Sequence, residues 1–111
     1  MLPKKHRLSK SADVKRTTAR GRSFFNPYFI IKIAPGTESA KITLITSVRV
    51  SKKAVERNRA KRILRDELRK YIDRLKPGDY VLIVKRSAIK ATPTELRESL
   101  VKSLTAGKML R

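Results

Sequence analysis

Between Ser51 and Arg65 the chain reads Ser-Lys-Lys-Ala-Val-Glu-Arg-Asn-Arg-Ala-Lys-Arg-Ile-Leu-Arg. These residue types suit one kind of chemistry, the gripping of phosphate. Arginine offers a planar fork of donors matched to phosphate oxygens, and lysine a mobile point charge. At about 100° per residue on an α-helix, Asn58, Lys61, Arg62, Arg65 and Arg69 fall in one arc. Ala60, Leu64, Leu68, Tyr71 and Leu75 fall in the adjoining arc and read as the buried stripe. Glu56, Asp66, Glu67 and Asp73 lie outside the basic arc, so no carboxylate interrupts it, whereas a merely solvated helix mixes signs. Such an edge repels itself until a polyanion neutralises it. Arg57 points nearer the core arc and Arg59 to the far side, yet both reach a bound strand from the first helical turn. Lys52 and Lys53 stand just before that turn. Asn58 can read a ribose hydroxyl or base edge, or equally hydrogen-bond the helix start.

The rest of the chain bears the same charge. Over 111 residues, 29 Lys and Arg face 9 Asp and Glu, a net charge of +20. A field of that size costs stability through self-repulsion and points to nucleic acid as the partner. The charge is uneven: residues 1–22 carry eight Lys and Arg against Asp13 alone, and residues 52–70 carry nine against three acids. Two separate basic surfaces result. Autonomous catalysis is not expected, and no catalytic or metal-ligating set is assigned. The one histidine, His6, falls in the N-terminal arm, so there is no paired-histidine ligand set or His-based triad. The helical acids suit salt bridges rather than a two-metal site, and there is no glycine-rich phosphate loop. Absence of Cys removes disulfides and Cys-based zinc from consideration and fits a reducing compartment. The N-terminus is charged with no apolar run behind it, so neither a signal peptide nor a membrane span is expected, and the location predicted is cytoplasmic.

The elements that must position these groups follow from punctuation and periodicity. Residues 1–8 form a basic arm, extended or loosely ordered, and 9–111 one domain. Ser9 or Ser11 caps a short helix running to about Arg20, where Gly21 stops it. Phe24 to Ala34 reads as a strand, with Asn26-Pro27 at its start and Pro35-Gly36 at its end. Lys41 to Val50 alternates as a second strand. The long basic helix takes 53–75 and ends at Lys76-Pro77-Gly78. Asp79 to Lys85 is almost wholly apolar in its middle and reads as a strand buried on both faces. Thr92-Pro93-Thr94-Glu95 opens a final helix, with Thr92 at the N-cap and Leu96, Leu100 and Leu104 on its apolar face. The order is α-β-β-α-β-α, a single small α+β domain with helices packed on a mixed sheet. Of the aromatics Phe24, Phe25, Tyr28 and Phe29, two should face the core and two outward, where a ring beside cations stacks on unpaired bases.

At Ser51-Lys52-Lys53 followed by Ala54-Val55, Arg57-Asn58-Arg59 and Lys61-Arg62, the chain resembles the protein component of bacterial ribonuclease P. Arg7-Leu8, Asp13, Gly21 and the Asp79-Tyr80-Val81 strand match the family's pattern too, so the resemblance covers nearly the whole chain. It implies a small subunit that binds the catalytic RNA and the 5′ leader of precursor tRNA, and a left-handed βαβ crossover against the usual hand. The hydrolysis would belong to the RNA subunit with Mg²⁺, with no cofactor held by the protein. Membrane and DNA are not implied partners. Two departures stand out. The family inserts a glycine-containing stretch before Ala-Val, whereas Lys53 runs straight into Ala54, so the approach to the helix is expected to be tighter. The family's aromatics on the first helix are Val14 and Thr18 here, which strips stacking surface from the leader cleft. Phe24, Phe25 and Tyr28 are the rings left to compensate. The leader-cleft candidates are Val14 and Thr18, at the positions the resemblance points to, Phe24 as a compensating ring, and Lys32 and Arg49 at strand positions expected to face the first helix.

A ribosome-associated or chaperone-like RNA-binding protein accounts for the charge equally well but not for the motif order. A basic-zipper DNA-binding region needs a long leucine heptad downstream, and Pro77-Gly78 ends the helix too soon for one.

Overall fold

The computed structural model describes residues 6–8, 11–35, 39–46 and 49–110. Four strands and three α-helices follow in the order α1 (Ser11–Arg20), β1 (Arg22–Phe25), β2 (Phe29–Pro35), β3 (Ala40–Ile45), α2 (Ala54–Arg69), β4 (Gly78–Val84) and α3 (Pro93–Ala106). The strands form one mixed sheet in the order β1-β2-β4-β3. β2 lies antiparallel to β1 and β4, while β3 runs parallel to β4 and is joined to it through α2. This is the α+β architecture expected.

Registry fixes which residues share a face. The rows Arg22–Ile33–Tyr80 and Phe24–Ile31–Leu82, with Phe29 and Val84 beyond them, look towards α2 and α3. Ile31, Leu82, Leu64, Leu68, Leu96, Leu100 and Leu104 are buried together in that layer. A buried leucine contributes about 1.5–3 kcal/mol relative to an exposed one, so the three leucines of α3 are a large share of what holds it down. The opposite face bears Lys32, Asp79, Val81 and Ile83, and α1 covers part of it. Val81 and Thr17 are completely buried between the two layers. β4 thus has apolar partners on both sides, as its composition predicts.

The predicted strand 24–34 is divided. Asn26 makes the break, because its Oδ1 accepts the Tyr28 N–H at 2.7 Å and its own N–H donates to the Phe29 carbonyl at 3.1 Å. Its Nδ2 donates to the Ser99 carbonyl and the Ser103 hydroxyl, tying the turn to α3. Such a side-chain turn competes with the strand ladder, and Pro27 cannot donate to one. The strand predicted from Lys41 to Val50 stops at Ile45, because β4 ends one residue past the partner of Ile45 and offers nothing further to pair with.

The basic helix ends at Arg69 rather than at residue 75. Its last bonds tighten to i→i+3 spacing, Tyr71 leaves helical geometry at φ −114°, and a 3-10 turn follows at Ile72–Arg74. This turn redirects Leu75 to bridge Leu110. The buried side of α2 includes Ile63 and Glu67 beside Ala60, Leu64 and Leu68, whereas Tyr71 is only half-buried. At the start of α3 a full capping box is present: Glu95 N–H donates to the Thr92 hydroxyl, and Thr92 N–H to the Glu95 carboxylate. These bonds and one from the Tyr28 hydroxyl hold the Glu95 carboxyl below its ordinary pKa.

The N-terminal arm is not loosely ordered where it is described. Arg7 bridges Ile42 beside β3, Leu8 N–H donates to the Ile42 carbonyl at 3.0 Å, and Leu8 is buried. His6 is buried as well, its Nδ1 donating to the Ala40 carbonyl at 2.7 Å. The short segment adds to the outer edge of the sheet and blunts it. Residues 1–5, and the cap position Ser9, lie outside the described residues.

Candidate nucleic-acid interface

Before α2, one serine organises the tight approach. Ser51 Oγ accepts the Lys53 N–H at 3.1 Å and donates to the Glu56 carboxylate at 2.8 Å. The Ser51 carbonyl takes an Arg57 guanidinium N–H at 2.6 Å. Lys53 itself occupies the N-cap position without any side-chain cap; Ser51 steadies the turn instead by bonding the N-cap N–H and the Glu56 carboxylate. Lys52 and Lys53 are left exposed. Arg57 is half-buried and committed to this turn, in keeping with its place near the core arc.

Past the first turn the predicted basic edge is present. Asn58, Arg62 and Arg69 are exposed, and Lys61, Arg65 and Arg59 half-exposed. Asn58 to Arg69 spans about 16 Å at 1.5 Å per residue, long enough to meet several phosphates of a strand. Leu64 and Leu68, fully buried on the other side, fix the rotation of the helix, so the cations have nowhere else to point. Glu67, which the sequence places off the basic arc, is buried at the junction with α3. Its carboxylate lies 3.0 Å from Lys70 Nζ and 3.9 Å from Arg97 Nε. The structure adds a residue that the sequence reading passed over: Val55 is 80% exposed at the start of this face. Its apolar type hid it from a search for charge.

The second region lies on the other side of the sheet. Thr17 is the buried contact of α1, Val14 and Thr18 form one half-buried flank, and Arg16 reaches Asp79 of β4 at 3.5 Å. Gly21 lets the chain turn closely onto β2, because a Cβ there would stand 2.4 Å from the Thr17 carbonyl oxygen and 2.9 Å from that of Ile33. Lys32 stands on this face between Ser23 of β1 and Val81 of β4. Val14, Thr18 and Lys32 therefore share one side of the sheet.

Two of the residues assigned to the cleft do not. Phe24 pairs with Ile31, points to the α2–α3 layer and packs against the core, with Arg22 5.4 Å above its ring. Strand alternation makes its neighbour the outward ring: Phe25 is 74% exposed, opposite Ile30 and on the same face as Lys32. The sequence could not choose between them, because the choice depends on the pairing register set by the Asn26 turn. Tyr28 is half-buried on the α3 side, where its hydroxyl donates to Glu95 at 3.1 Å and its pKa is raised. Arg49 is not on a strand. It lies in a turn beyond β3, exposed, with its carbonyl accepting two bonds from the Arg86 guanidinium.

Among the described residues no three acidic or histidine side chains gather closely enough to hold a metal ion, and no helix is long and apolar enough to cross a membrane.

The relatives of the chain share both its sequence and its shape. The family model described as Ribonuclease P matches residues 2–107. A ribonuclease P protein component from Listeria welshimeri is 30% identical over 113 residues, covering 99% of this chain and 94% of the relative. One from Exiguobacterium is 34% identical over 100 residues, covering 89% and 87%. The solved ribonuclease P protein of Staphylococcus aureus superposes with a TM-score of 0.88 at 23% identity, covering 96% of this chain and 98% of that one. A Thermotoga maritima ribonuclease P protein, solved in complex with 1-(4-fluorophenyl)-2-thiourea, gives 0.77 at 24% identity, with 86% and 94% covered. On a family match spanning nearly all its length, this chain belongs to the ribonuclease P protein component family.

Proposed function

We propose that this protein is the RNA-binding subunit of a cytoplasmic ribonuclease P, gripping the catalytic RNA with the outer face of α2 and the 5′ leader of precursor tRNA on the sheet face beside α1. Hydrolysis of the leader is assigned to the RNA subunit and its Mg²⁺, the protein supplying position and charge. The observation that carries this is the row Asn58, Arg62, Arg65 and Arg69, aimed outward by a helix whose opposite side is fully buried. Charge so arranged acts on a phosphate backbone without reading its sequence. On the leader side the candidates are Val14, Thr18 and Lys32, with Phe25 in place of Phe24 as the ring able to stack. Purified protein added to a cognate ribozyme RNA at low Mg²⁺ should raise leader cleavage of precursor tRNA. An RNA that is active at high Mg²⁺ yet gains nothing from the protein would overturn the reading.

A further inference from the structure

Where the start of β4 meets the end of the chain, a cavity of about 290 Å³ opens on the α2–α3 side of the sheet, away from Lys32. Arg22, Lys76 and Lys108 line it together with Phe24, Tyr80 and Met109, and none of its lining residues is a carboxylate. We propose that this slot is a second phosphate site, holding a phosphodiester of bound RNA separately from the outer face of α2. That the occupant is RNA rests on the function proposed above; the slot itself rests on its own geometry.

Contacts on the guanidinium of Arg22 and on the backbones of Lys76 and Lys108 place these residues at the slot. Arg22 stands in the cross-strand row with Ile33 and Tyr80 and lies 5.4 Å over the Phe24 ring, which keeps the guanidinium at the mouth of an apolar slot while its edge donors stay free. Lys76 is anchored by its backbone N–H on the Met109 carbonyl at 2.8 Å. The Tyr80 hydroxyl donates to the Lys76 carbonyl at 2.6 Å. Burial pushes the Tyr80 pKa up to about 12, so its ring adds no negative charge at neutral pH.

Lys108 is the telling residue. α3 ends with Met109 N–H donating to the Leu104 carbonyl and Lys108 N–H to that of Thr105. This closing motif puts Lys108 in left-handed geometry at φ 55°, the one non-glycine residue with positive φ among those described. Glycine is the usual occupant of this position because it has no Cβ to strain. The glycine of this sequence stands one place earlier, at Gly107, where a Cβ would come within 2.7 Å of Met109 Cε and 3.1 Å of the Phe24 ring. A lysine at the strained position costs stability that its backbone role does not return, and Lys108 lines the slot together with Arg22 and Lys76. Phosphate is the ligand such a cluster suits.

Strain makes the test clean, because Lys108→Gly removes the charge and relaxes the backbone together. Met109 lines the slot, and its methyl is one of only two methionine methyls in the chain. The full chain, labelled with ¹³C-methyl methionine, would be titrated with a single-stranded five-nucleotide oligoadenylate and separately with inorganic phosphate. The oligonucleotide should shift the Met109 signal in the native protein and also in Arg62→Ala/Arg65→Ala. Lys108→Gly should melt no lower than native, yet bind the oligonucleotide at this slot with a salt slope smaller by about 0.7. Arg22→Ala/Lys108→Gly should weaken binding at the slot further without lowering the slope beyond that loss of about 0.7, because the slot holds one phosphodiester. An oligonucleotide that binds by anisotropy without moving Met109 overturns the slot and leaves the α2 reading standing. No binding anywhere overturns both. Inorganic phosphate binding as tightly as the oligonucleotide overturns RNA as the occupant.

Discussion

The outer face of α2 and the sheet face beside α1 are proposed to meet the same class of ligand, yet they are built in opposite ways. On α2 the functional groups are long cations whose direction is set by a stripe of buried leucines one residue away, so local helix geometry suffices to aim them. On the sheet, direction is set by pairing between strands distant in sequence, and one turn residue, Asn26, decides whether Phe24 or Phe25 faces outward. The first surface needs only periodicity to be correct; the second needs register as well. One helix can therefore lose a cation and keep its site, whereas a slip of one residue in β1 would exchange every side chain between faces.

The sharpest way to break this contrast is to remove what aims the cations. Leu64→Ala deletes a fully buried side chain under the basic edge and should cost about 2–5 kcal/mol of folding stability in chemical denaturation, while Arg62→Ala, on the opposite side, should stay within about 0.5 kcal/mol. Equal losses would mean that α2 is not oriented by its apolar side. The groove answers to a different change. Val14→Phe places a ring on the half-buried flank of α1, and stacking contributes about 1–3 kcal/mol per base. The variant should bind precursor over mature tRNA more tightly, read as a ratio of dissociation constants with the ribozyme complex. With the fold intact and that ratio unchanged, the leader does not lie along this flank. Third comes charge itself. Arg62→Ala/Arg65→Ala should reduce the salt slope of binding to the RNA subunit by roughly 0.7–0.9 per lost contact, leaving precursor discrimination alone. An unchanged slope would make the edge ordinary solvated surface.

The same contrast explains what the sequence made legible. The basic edge, the α3 leucines and the Thr92 capping box follow from spacing within one helix, and each is where its spacing puts it. The hairpin, the docking of His6 and the end of β3 depend on partners elsewhere in the chain. Asn26-Pro27 is a local turn signal, but Asn26 anchors that turn on Ser99 and Ser103, some seventy residues on, and nothing local in Phe24 to Ala34 announces the anchor. His6 reads as arm because its neighbours are basic, but the Ala40 carbonyl and the exposed edge of β3 capture it. Arg49 falls on a strand only if alternation continues past the last residue that β4 can pair. In each case the missing information is a tertiary partner, which propensity does not carry.

The smallest effect concerns how α2 begins. Ser51 replaces the absent glycine-containing stretch with a turn that bonds Lys53, Glu56 and Arg57 at once. Ser51→Ala deletes the hydroxyl, leaving the Lys53 N–H and the Glu56 carboxylate to water, and should cost about 1 kcal/mol, the usual net value of a hydrogen bond. The Ser51 carbonyl remains, so Arg57 keeps its bond whenever the turn is closed. Affinity for the RNA subunit should then fall only by the fraction of molecules in which the first turn has frayed, and the fall should shrink on cooling as the helix closes. Arg62 and Arg65 lie one to two turns further in, so the salt slope should stay that of the native protein. A slope that drops along with affinity would show that Lys52, Lys53 and Arg57 make phosphate contacts of their own, and would move the centre of the interface from the middle of α2 to its start.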